Sequence, residues 1–254
     1  MSAIQSNTHL SFNAKPDALL GKVILVSGAS DGIGRCAAIE YAKRGADIIL
    51  IGRNRQKLEQ TTQAIAPFHV KTLSIVLDLA NANATDFKQL AAQIETQWHR
   101  LDGALLNAGI LGELAPIAEI AIDDFDQVMQ INVRSQLLMI QVLLPLLLAS
   151  ASSSLILTSS GVGRYGRATW GSYAISKFAT EGLMQTLADE MKTTSLRVNC
   201  INPGATRTHM RAQAKPEEDP HTLKTPLEIM PTYLFLMADE SQSVTGMSLD
   251  AQIR

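Results

Sequence analysis

Short runs of apolar residues recur along this chain, and the segments between them have apolar positions every three or four residues. The first two runs cover residues 23–26 and 47–51, and the intervening segment 36–44 has the spacing of an amphipathic helix. A strand, a helix and a second strand in this order predict a β-α-β unit.

The same alternation continues to the end of the chain. Further strands are predicted at residues 73–77, 103–106, 154–158, 196–201 and 247–250, with helices at 86–98, from about 124, at 173–192 and at 227–237. Because the runs are apolar along their whole length, both faces of the strands must be covered. The sequence therefore predicts the α/β class with one doubly wound, parallel, seven-stranded sheet.

The length of the chain favours a single domain. Its 254 residues, 46% of them hydrophobic, suffice for one large core. We expect a polar lead-in over residues 1–20 and one domain over residues 21–254. The segment around 209–226 is rich in proline and charged residues but lies between two core elements, so we predict a substrate-loop excursion there.

Composition narrows the possible partners and compartment. The formal net charge of −2 provides no basic field for nucleic acid. Two distant cysteines, Cys36 and Cys200, and the lack of a secretory pattern in the first twenty residues favour the cytoplasm. The apolar stretch 137–149 contains Gln141 and Pro145 and is shorter than the ~20 residues that cross a bilayer. We expect it to be a buried helix, with no membrane partner and no metal site.

A glycine-rich turn joins the first predicted strand to the first helix. Small residues there let backbone amides approach a diphosphate, which the helix N-terminus also attracts. A tight strand-to-helix connection would look similar out of this context. The candidate cofactor residues of the turn are Ser27, Gly28, Ser30, Asp31, Gly32, Ile33 and Gly34.

The end of the second strand bears on the choice of cofactor. An acidic residue at this position binds the 2′-hydroxyl of NAD, whereas this chain has Arg53 followed by Asn54. A guanidinium can bind the extra phosphate of NADP in a fork, so we predict NADP(H) in preference to NAD(H). The alternative is that Arg53, Arg55 and Lys57 only form a solvated helix start.

Two further strand ends carry candidate cofactor residues. Asp78, which is followed by Leu79, is placed to accept a hydrogen bond from an adenine amino group or to act as a helix N-cap. Asn107, Ala108 and Gly109 follow the fourth strand and either line the cofactor or let neighbouring strands approach.

The residues Tyr173 and Lys177 provide the strongest chemical signal. They lie four positions apart, on one face of a predicted helix. The lysine would lower the pKa of the tyrosine toward neutrality and fit it for proton exchange with a carbonyl oxygen. Ser160, thirteen positions upstream at a strand end, could hold the same oxygen.

In these motifs the chain resembles the short-chain dehydrogenase/reductase family, from about residue 20 to residue 250. The family's cofactor turn Thr-Gly-x-x-x-Gly-x-Gly is matched with serine at the first place, and Tyr-x-x-x-Lys is intact. The Asn-Asn-Ala-Gly motif departs at Leu106, which leaves the sheet-stabilising role of its first asparagine unfilled. Three runs, at 30–35, 170–174 and 197–203, more narrowly resemble bacterial YciK-type oxidoreductases.

The resemblance implies a Rossmann fold and an NADP(H)-dependent oxidoreductase acting on a small carbonyl or alcohol. It implies a catalytic tetrad of Asn132, Ser160, Tyr173 and Lys177, in which Asn132 holds a water of a proton relay. Tyr173 and Lys177 would also contact the cofactor, and Thr208 would bind the nicotinamide carboxamide. The segment with the family's Pro-Gly-x-x-x-Thr pattern adds the cofactor residues Pro203, Gly204 and Thr206.

Family members pair through the long helices that precede and contain the catalytic tyrosine, so we expect a homodimer or homotetramer. A catalytically weak sensor or scaffold is the alternative function, because a fold does not by itself imply activity.

The pocket also leaves two alternatives open. Arg164 and Arg167 either clamp an anionic substrate or serve the fold, in which case Val162, Trp170 and Leu111 form a wall for an uncharged carbonyl.

Overall fold

Seven parallel strands form a single sheet in the order β3-β2-β1-β4-β5-β6-β7. The computed structural model describes residues 7–253, so residues 1–6 of the predicted lead-in and Arg254 lie outside the described part. The strands are β1 (Val23–Ser27), β2 (Asp47–Gly52), β3 (Thr72–Val76), β4 (Gly103–Leu106), β5 (Ser153–Thr158), β6 (Leu196–Asn202) and β7 (Ser248–Asp250). The predicted doubly wound, parallel, seven-stranded sheet is confirmed.

Helices connect the strands and cover both faces of the sheet. They are α1 (Gly32–Ala42), α2 (Arg55–Ile65), α3 (Ala84–Trp98), α4 (Ile122–Met129), α5 (Ser135–Leu148), α6 (Gly171–Glu190), α7 (His209–Ala214) and α8 (Met230–Met237). The sequence pattern indicated α2 only through the helix start named as an alternative for Arg53, Arg55 and Lys57, and it did not identify the short α7. The pattern also predicted that the last helix begins at residue 227, whereas α8 begins at Met230, because Leu227–Ile229 is a separate 3-10 turn.

Alternate residues of the inner strands β1, β2, β4 and β5 enter two different cores, as strands covered on both faces require. Ile24 and Val26 of β1 pack in the core that also holds Tyr41, Leu58 and Tyr233 of α1, α2 and α8. Val23 and Leu25 pack in the opposite core, with residues of α3, α5 and α6 that include Phe87, Leu143 and Met184.

The helical segment Ile122–Leu148 is the one part of residues 7–253 that is long and apolar enough to cross a membrane by length and composition. Half of its most apolar window is buried inside the fold. Ile131, Met139, Leu143 and Leu147 lie in the core under the sheet, so this segment serves as a core helix.

The described part of the lead-in packs onto the end of the sheet. His9 is buried and its Nε2 lies 3.0 Å from the carbonyl oxygen of Asp250 in β7. The ring of Phe12 meets Phe235 of α8 edge-on, with 5.5 Å between the ring centroids. This segment therefore contacts the same edge of the sheet that carries β7.

Candidate active site

The strand order reverses between β1 and β4, and the loops that follow these two strands diverge to leave a crevice. Ser27 fixes the two loops to each other, because its Oγ accepts hydrogen bonds from the backbone N–H groups of Asn107 (3.0 Å) and Ala108 (3.1 Å). Thr158 at the end of β5 donates to Asn107 Oδ1 at 3.2 Å. Asn107 therefore links two neighbouring strand ends despite the leucine at position 106.

The glycines of the turn after β1 are needed for its shape. Gly28 and Gly32 have φ angles of +68° and +51°, a region that favours glycine. A Cβ on Gly34 would lie 2.3 Å from the carbonyl oxygen of Gly28, so a side chain there would push the turn away from α1. The first turn of α1 then presents its N-terminal amides at the crevice, as a bound diphosphate requires.

A buried hydroxyl without a partner lies where the turn meets β2. Ser30 Oγ has no hydrogen-bond partner among the described residues. A Cβ on Gly52 would lie 2.2 Å from this oxygen, so the absence of a side chain at Gly52 leaves room for it. Arg53 follows and is exposed. An orphan hydroxyl beside an exposed guanidinium fits a bound phosphate group.

The neighbouring predicted residues Asp31 and Asn54 both cap helices. Asp31 Oδ1 accepts from the N–H of Gly32 at 2.7 Å, and Asn54 Oδ1 accepts from the N–H of Lys57 at 2.9 Å. Lys57 also donates from Nζ to Asp31 Oδ2 at 2.8 Å, and this hydrogen bond lowers the pKa of the Asp31 carboxyl. The lysine thus compensates a negative charge that would otherwise face a cofactor phosphate.

Asp78 closes a turn rather than capping a helix. Its carboxylate accepts from the N–H of Ala80 at 3.2 Å and from Asn81 Nδ2 at 2.7 Å. The cap of α3 is Asn83 in a capping box with Asp86, so the N-cap alternative for Asp78 is wrong. The side chain of the adjoining Leu79 is buried in the core, which leaves only its main chain to face a cofactor.

The four predicted catalytic residues meet at the ends of β4 and β5. Tyr173 lies in the first turn of α6, and its side chain is near enough to Ser160, two residues beyond β5, for that hydroxyl to act on its pKa. Lys177 is buried one turn further, where its Nζ donates to the carbonyl oxygen of Thr158 at 2.8 Å. The same Nζ lies 5.5 Å from the centroid of the Tyr173 ring.

Burial is the largest cause of the pKa shifts of Tyr173 and Lys177. It raises the pKa of Tyr173 to about 12, against which the hydrogen bond with Ser160 acts, and it lowers the pKa of Lys177 to about 8. The prediction that Lys177 brings the tyrosine toward neutrality is wrong in this structure. The ammonium group is bonded to Thr158 rather than to the phenol, and desolvation of the phenolate prevails.

Asn132 lies in a π turn, Gln130–Arg134, between α4 and α5. Its Oδ1 accepts from the N–H of Ile110 at 2.8 Å, and its Nδ2 donates to the carbonyl oxygen of Ile110 (2.8 Å) and to Ser176 Oγ (3.0 Å). A Cβ placed on Gly109 would lie 3.1 Å from Asn132 Oδ1 and 3.7 Å from Lys177 Nζ. Both atoms therefore face the same small space beside Gly109.

The loop after β6 faces the glycine turn across the crevice. A Cβ on Gly32 would lie 3.4 Å from Thr208 Cγ2, and Thr208 itself caps α7. Gln252, which the sequence did not indicate, holds this loop by donating to the carbonyl oxygens of Pro203 (2.7 Å) and Ala205 (3.1 Å). Its role depends on the pairing of β6 with β7, for which no local sequence signal exists.

A second missed group is the buried carboxylate of Glu181, one helical turn after Lys177. Ser159 and Ser248 both donate to its Oε1, the latter at 2.7 Å. Arg164 donates from Nε and Nη2 to Ser248 Oγ, and its Nε lies 3.6 Å from Glu181 Oε1. This network joins both sides of Ser160 to α6. A lone acidic residue one turn beyond the lysine was the signal that could have indicated it.

Neither cysteine is fitted for nucleophilic chemistry. Burial raises the pKa of the Cys36 thiol to about 11 and raises that of Cys200 well above its ordinary value. A thiol that stays protonated at neutral pH is a poor nucleophile. The site chemistry therefore rests on the hydroxyl, phenol, amide and ammonium groups already described.

Comparison with known proteins agrees with this arrangement. Residues 22–219 match the family described as short chain dehydrogenase. This chain belongs to the short-chain dehydrogenase family. A curated relative, the uncharacterized oxidoreductase YciK of Escherichia coli (strain K12), is 53% identical over 242 residues, which cover 95% of this chain and 96% of the relative.

Solved structures of similar short-chain dehydrogenases include two with a nicotinamide cofactor. The protein from Shigella flexneri 2a str. 301, complexed with NADP, has a TM-score of 0.92 and 54% identity over 94% of this chain and 100% of that one. The protein from Escherichia coli CFT073, complexed with NADPH, has a TM-score of 0.92 and 53% identity over the same shares. The chain is thus an oxidoreductase of this family.

Proposed function

We propose that the protein transfers hydride between NADP(H) and a carbonyl or alcohol carbon, with Tyr173 as the general acid and base. The observation that carries this proposal is the meeting of four side chains at the ends of β4 and β5, those of Asn132, Ser160, Tyr173 and Lys177. A sensor or scaffold on the same fold would have no need for this set of groups.

The residues around the crevice would hold the cofactor. The glycine turn and the N-terminus of α1 would bind the diphosphate, and Ser30 and Arg53 would bind the 2′-phosphate. The loop of Pro203, Gly204, Thr206 and Thr208 would close over the nicotinamide half. The complexes of two similar proteins with NADP and NADPH support this choice of cofactor. When bound, the nicotinamide supplies or accepts the hydride.

The protein's own residues handle the oxygen and the proton. Ser160 would hold the substrate oxygen beside Tyr173, which is 8% exposed. Because its pKa is raised to about 12, the phenol carries its proton at neutral pH and is ready to donate it to the oxygen of a carbonyl that is being reduced. In alcohol oxidation the phenol would first lose its own proton through Lys177, and the phenolate would then accept the proton of the alcohol.

The proton given up by Tyr173 would be replaced through Lys177. A pKa of about 8 lets this ammonium group lose and regain a proton close to neutral pH. Asn132 Oδ1 and Lys177 Nζ face the same space beside Gly109, which is where a bridging water would lie. Ser176 and Ile110 hold Asn132 in place for that contact.

We further propose a cytoplasmic homo-oligomer formed through α4, α5 and α6. Leu137 of α5 is 43% exposed, and Ile175 and Phe178 of α6 are 41% and 46% exposed. Ile175 and Phe178 lie three residues apart, so they share one face of α6. Exposed apolar residues on neighbouring long helices are typical of an interface between copies.

Turnover of NADPH tests the proposed activity. The purified protein would be given NADPH or NADH with a panel of aldehydes, ketones and quinones, and absorbance at the nicotinamide band would be followed. We expect oxidation of NADPH with at least one carbonyl class, and slower oxidation of NADH. Tight NADPH binding without turnover of any panel member would favour the sensor instead.

A further inference from the structure

We infer that the substrate is an uncharged, apolar carbonyl compound, seated against Trp170 and the apolar side chains around Tyr173. This inference rests on the proposed function, because it concerns the substrate of the same site. It is carried by the packing around the catalytic tyrosine and by the positions of the arginines nearby.

The catalytic tyrosine belongs to a small apolar cluster separate from the two sheet cores. The other buried members are Leu111, Val162, Trp170, Ala174 and Ala214, with Leu114 and Met210 packed against them. They come from the loop after β4, the loop after β5, the start of α6, and α7. Apolar side chains from four elements thus pack together around Tyr173.

Trp170 has a defined place in this cluster. It is buried directly before α6, and its ring centroid lies 6.0 Å from that of Tyr173, with a tilt of 58° between the planes. The preceding residue, Thr169, has a φ angle of +69°, which is strained for a β-branched residue. Such strain persists only where surrounding contacts hold the conformation. The fold therefore fixes the indole beside the phenol.

Two arginines of these elements are bonded away from the cluster, and a third lies in solvent over the Trp170 ring. Arg164 is bonded to Ser248 and Asp250 in β7. Arg211 of α7 donates twice to Glu218, at 2.6 Å each. Arg167 is exposed and places its guanidinium over the Trp170 ring, 5.8 Å from the centroid.

The remaining charges near the cluster do not favour an anion. Lys177 donates to the carbonyl oxygen of Thr158, and His209 is exposed and lines a cleft of about 720 Å³ between α1 and the excursion, which none of the four catalytic residues lines. The buried ammonium beside the cluster is already bonded to Thr158, and the guanidinium of Arg167 is in solvent. An anionic substrate would therefore lose its water without gaining a free buried cation, which is unfavourable. An apolar substrate would gain from the same contacts.

Two matched aldehydes test this inference. Benzaldehyde and 4-carboxybenzaldehyde differ by one carboxylate, and kcat/KM for each would be measured with saturating NADPH. We expect benzaldehyde to be preferred by at least ~100-fold, since the carboxylate loses its water without gaining a partner. Equal values, or a preference for the carboxylated aldehyde, would overturn the inference while leaving the proposed function intact.

Two variants locate the specificity in the cluster. Trp170→Ala should lower kcat/KM for benzaldehyde at least ~10-fold through lost aromatic contact and leave NADPH binding unchanged. Met210→Arg introduces a guanidinium on α7 and should move the ratio of the two kcat/KM values at least ~10-fold toward the carboxylated aldehyde. A ratio unchanged in both variants would place the substrate elsewhere.

A binding measurement decides the point even without turnover. The chain has two tryptophans, and Trp98 lies away from the site, where it donates to Asp47 Oδ2. In the Trp98→Phe variant, the tryptophan fluorescence comes from Trp170 alone. The two aldehydes can then be titrated into the complex with NADP⁺, which has no hydride to transfer, so that binding is measured without turnover. If benzaldehyde quenches the Trp170 fluorescence at a lower concentration than 4-carboxybenzaldehyde does, the result supports an apolar pocket. If benzaldehyde binds no more tightly than 4-carboxybenzaldehyde, the result contradicts it.

Discussion

Arg164 donates from Nη1 to Asp250 Oδ1 across 2.8 Å, which ties the loop between Ser160 and Tyr173 to the last strand of the sheet. Arg164→Met should lower the free energy of unfolding by about 1.5–3 kcal/mol, because hydrogen bonds to a charged group are lost. Urea titration measures this change. Arg167→Met is the matched control, and its exposed stacking on Trp170 should contribute less than ~1 kcal/mol.

Kinetics of the Arg164→Met variant show whether Arg164 serves the fold or binds the substrate. Because Arg164 faces β7, its loss should reduce kcat/KM by the same factor for charged and uncharged aldehydes. A loss confined to the carboxylated aldehyde would show that Arg164 reaches the substrate after all.

The phenol of Tyr173 should be essential for turnover but not for cofactor binding. Tyr173→Phe should lower kcat at least ~10²-fold, the usual contribution of a positioned acid, with Kd for NADPH little changed. Tyr165→Phe is a control in the neighbouring loop, where the side chain is exposed. Similar rates in Tyr173→Phe and the parent protein would remove the tyrosine from the mechanism.

Discrimination between the two cofactors should depend on Arg53. Arg53→Ala should weaken NADPH binding by about 1.5–3 kcal/mol and leave NADH binding nearly unchanged, because only NADPH carries the 2′-phosphate. Arg55→Ala, two residues further on, should affect neither cofactor by more than ~0.5 kcal/mol. Kd values come from fluorescence titration. Equal weakening of both cofactors by Arg53→Ala would assign the residue to the fold.

The buried ammonium of Lys177 should destabilise the protein at neutral pH. Its pKa falls from 10.5 to about 8 on folding, so between these values the unfolded chain binds more protons and stability rises with pH. The cost is present in full below pH 8. Lys177→Met should therefore stabilise the protein at pH 7 by about 1–3 kcal/mol, after allowance for the lost hydrogen bond to Thr158.

That gain should disappear as the pH approaches 10. Urea midpoints at pH 7, 8.5 and 10 measure it, with Lys192→Met as an exposed control that should show no such trend. A Lys177→Met gain that stays constant with pH would mean that packing, rather than charge burial, is its source.

The apolar face of α5 and α6 should mediate self-association. At micromolar concentration we expect a dimer or a tetramer by light scattering, and Phe178→Asp should lower the mass toward that of one chain, 27.5 kDa. Leu20→Asp, at an exposed leucine on another part of the surface, should leave the mass unchanged. A parent protein that is already monomeric would refute the interface.

Much of this protein could be predicted from local order along the chain. The fully apolar strands and the glycine turn after β1 indicated the parallel sheet. The spacing of Tyr173 and Lys177 indicated catalytic residues at the carboxyl ends of its strands. These features depend on contacts within a few residues, or on the rule that the carboxyl ends of parallel strands lie on one side of the sheet. Local sequence is therefore enough to predict them.

The protonation state and the character of the pocket depended on contacts between distant segments. Whether Arg164 served the fold was settled by a partner 86 positions away in β7, and Gln252 reaches the loop after β6 across 49 positions. The pKa of Tyr173 is raised because the phenol is deeply buried, and the hydrogen bond with Ser160 opposes this shift only in part. Burial and long-range pairing arise only when the whole sheet is assembled, because desolvation depends on every neighbour that excludes water.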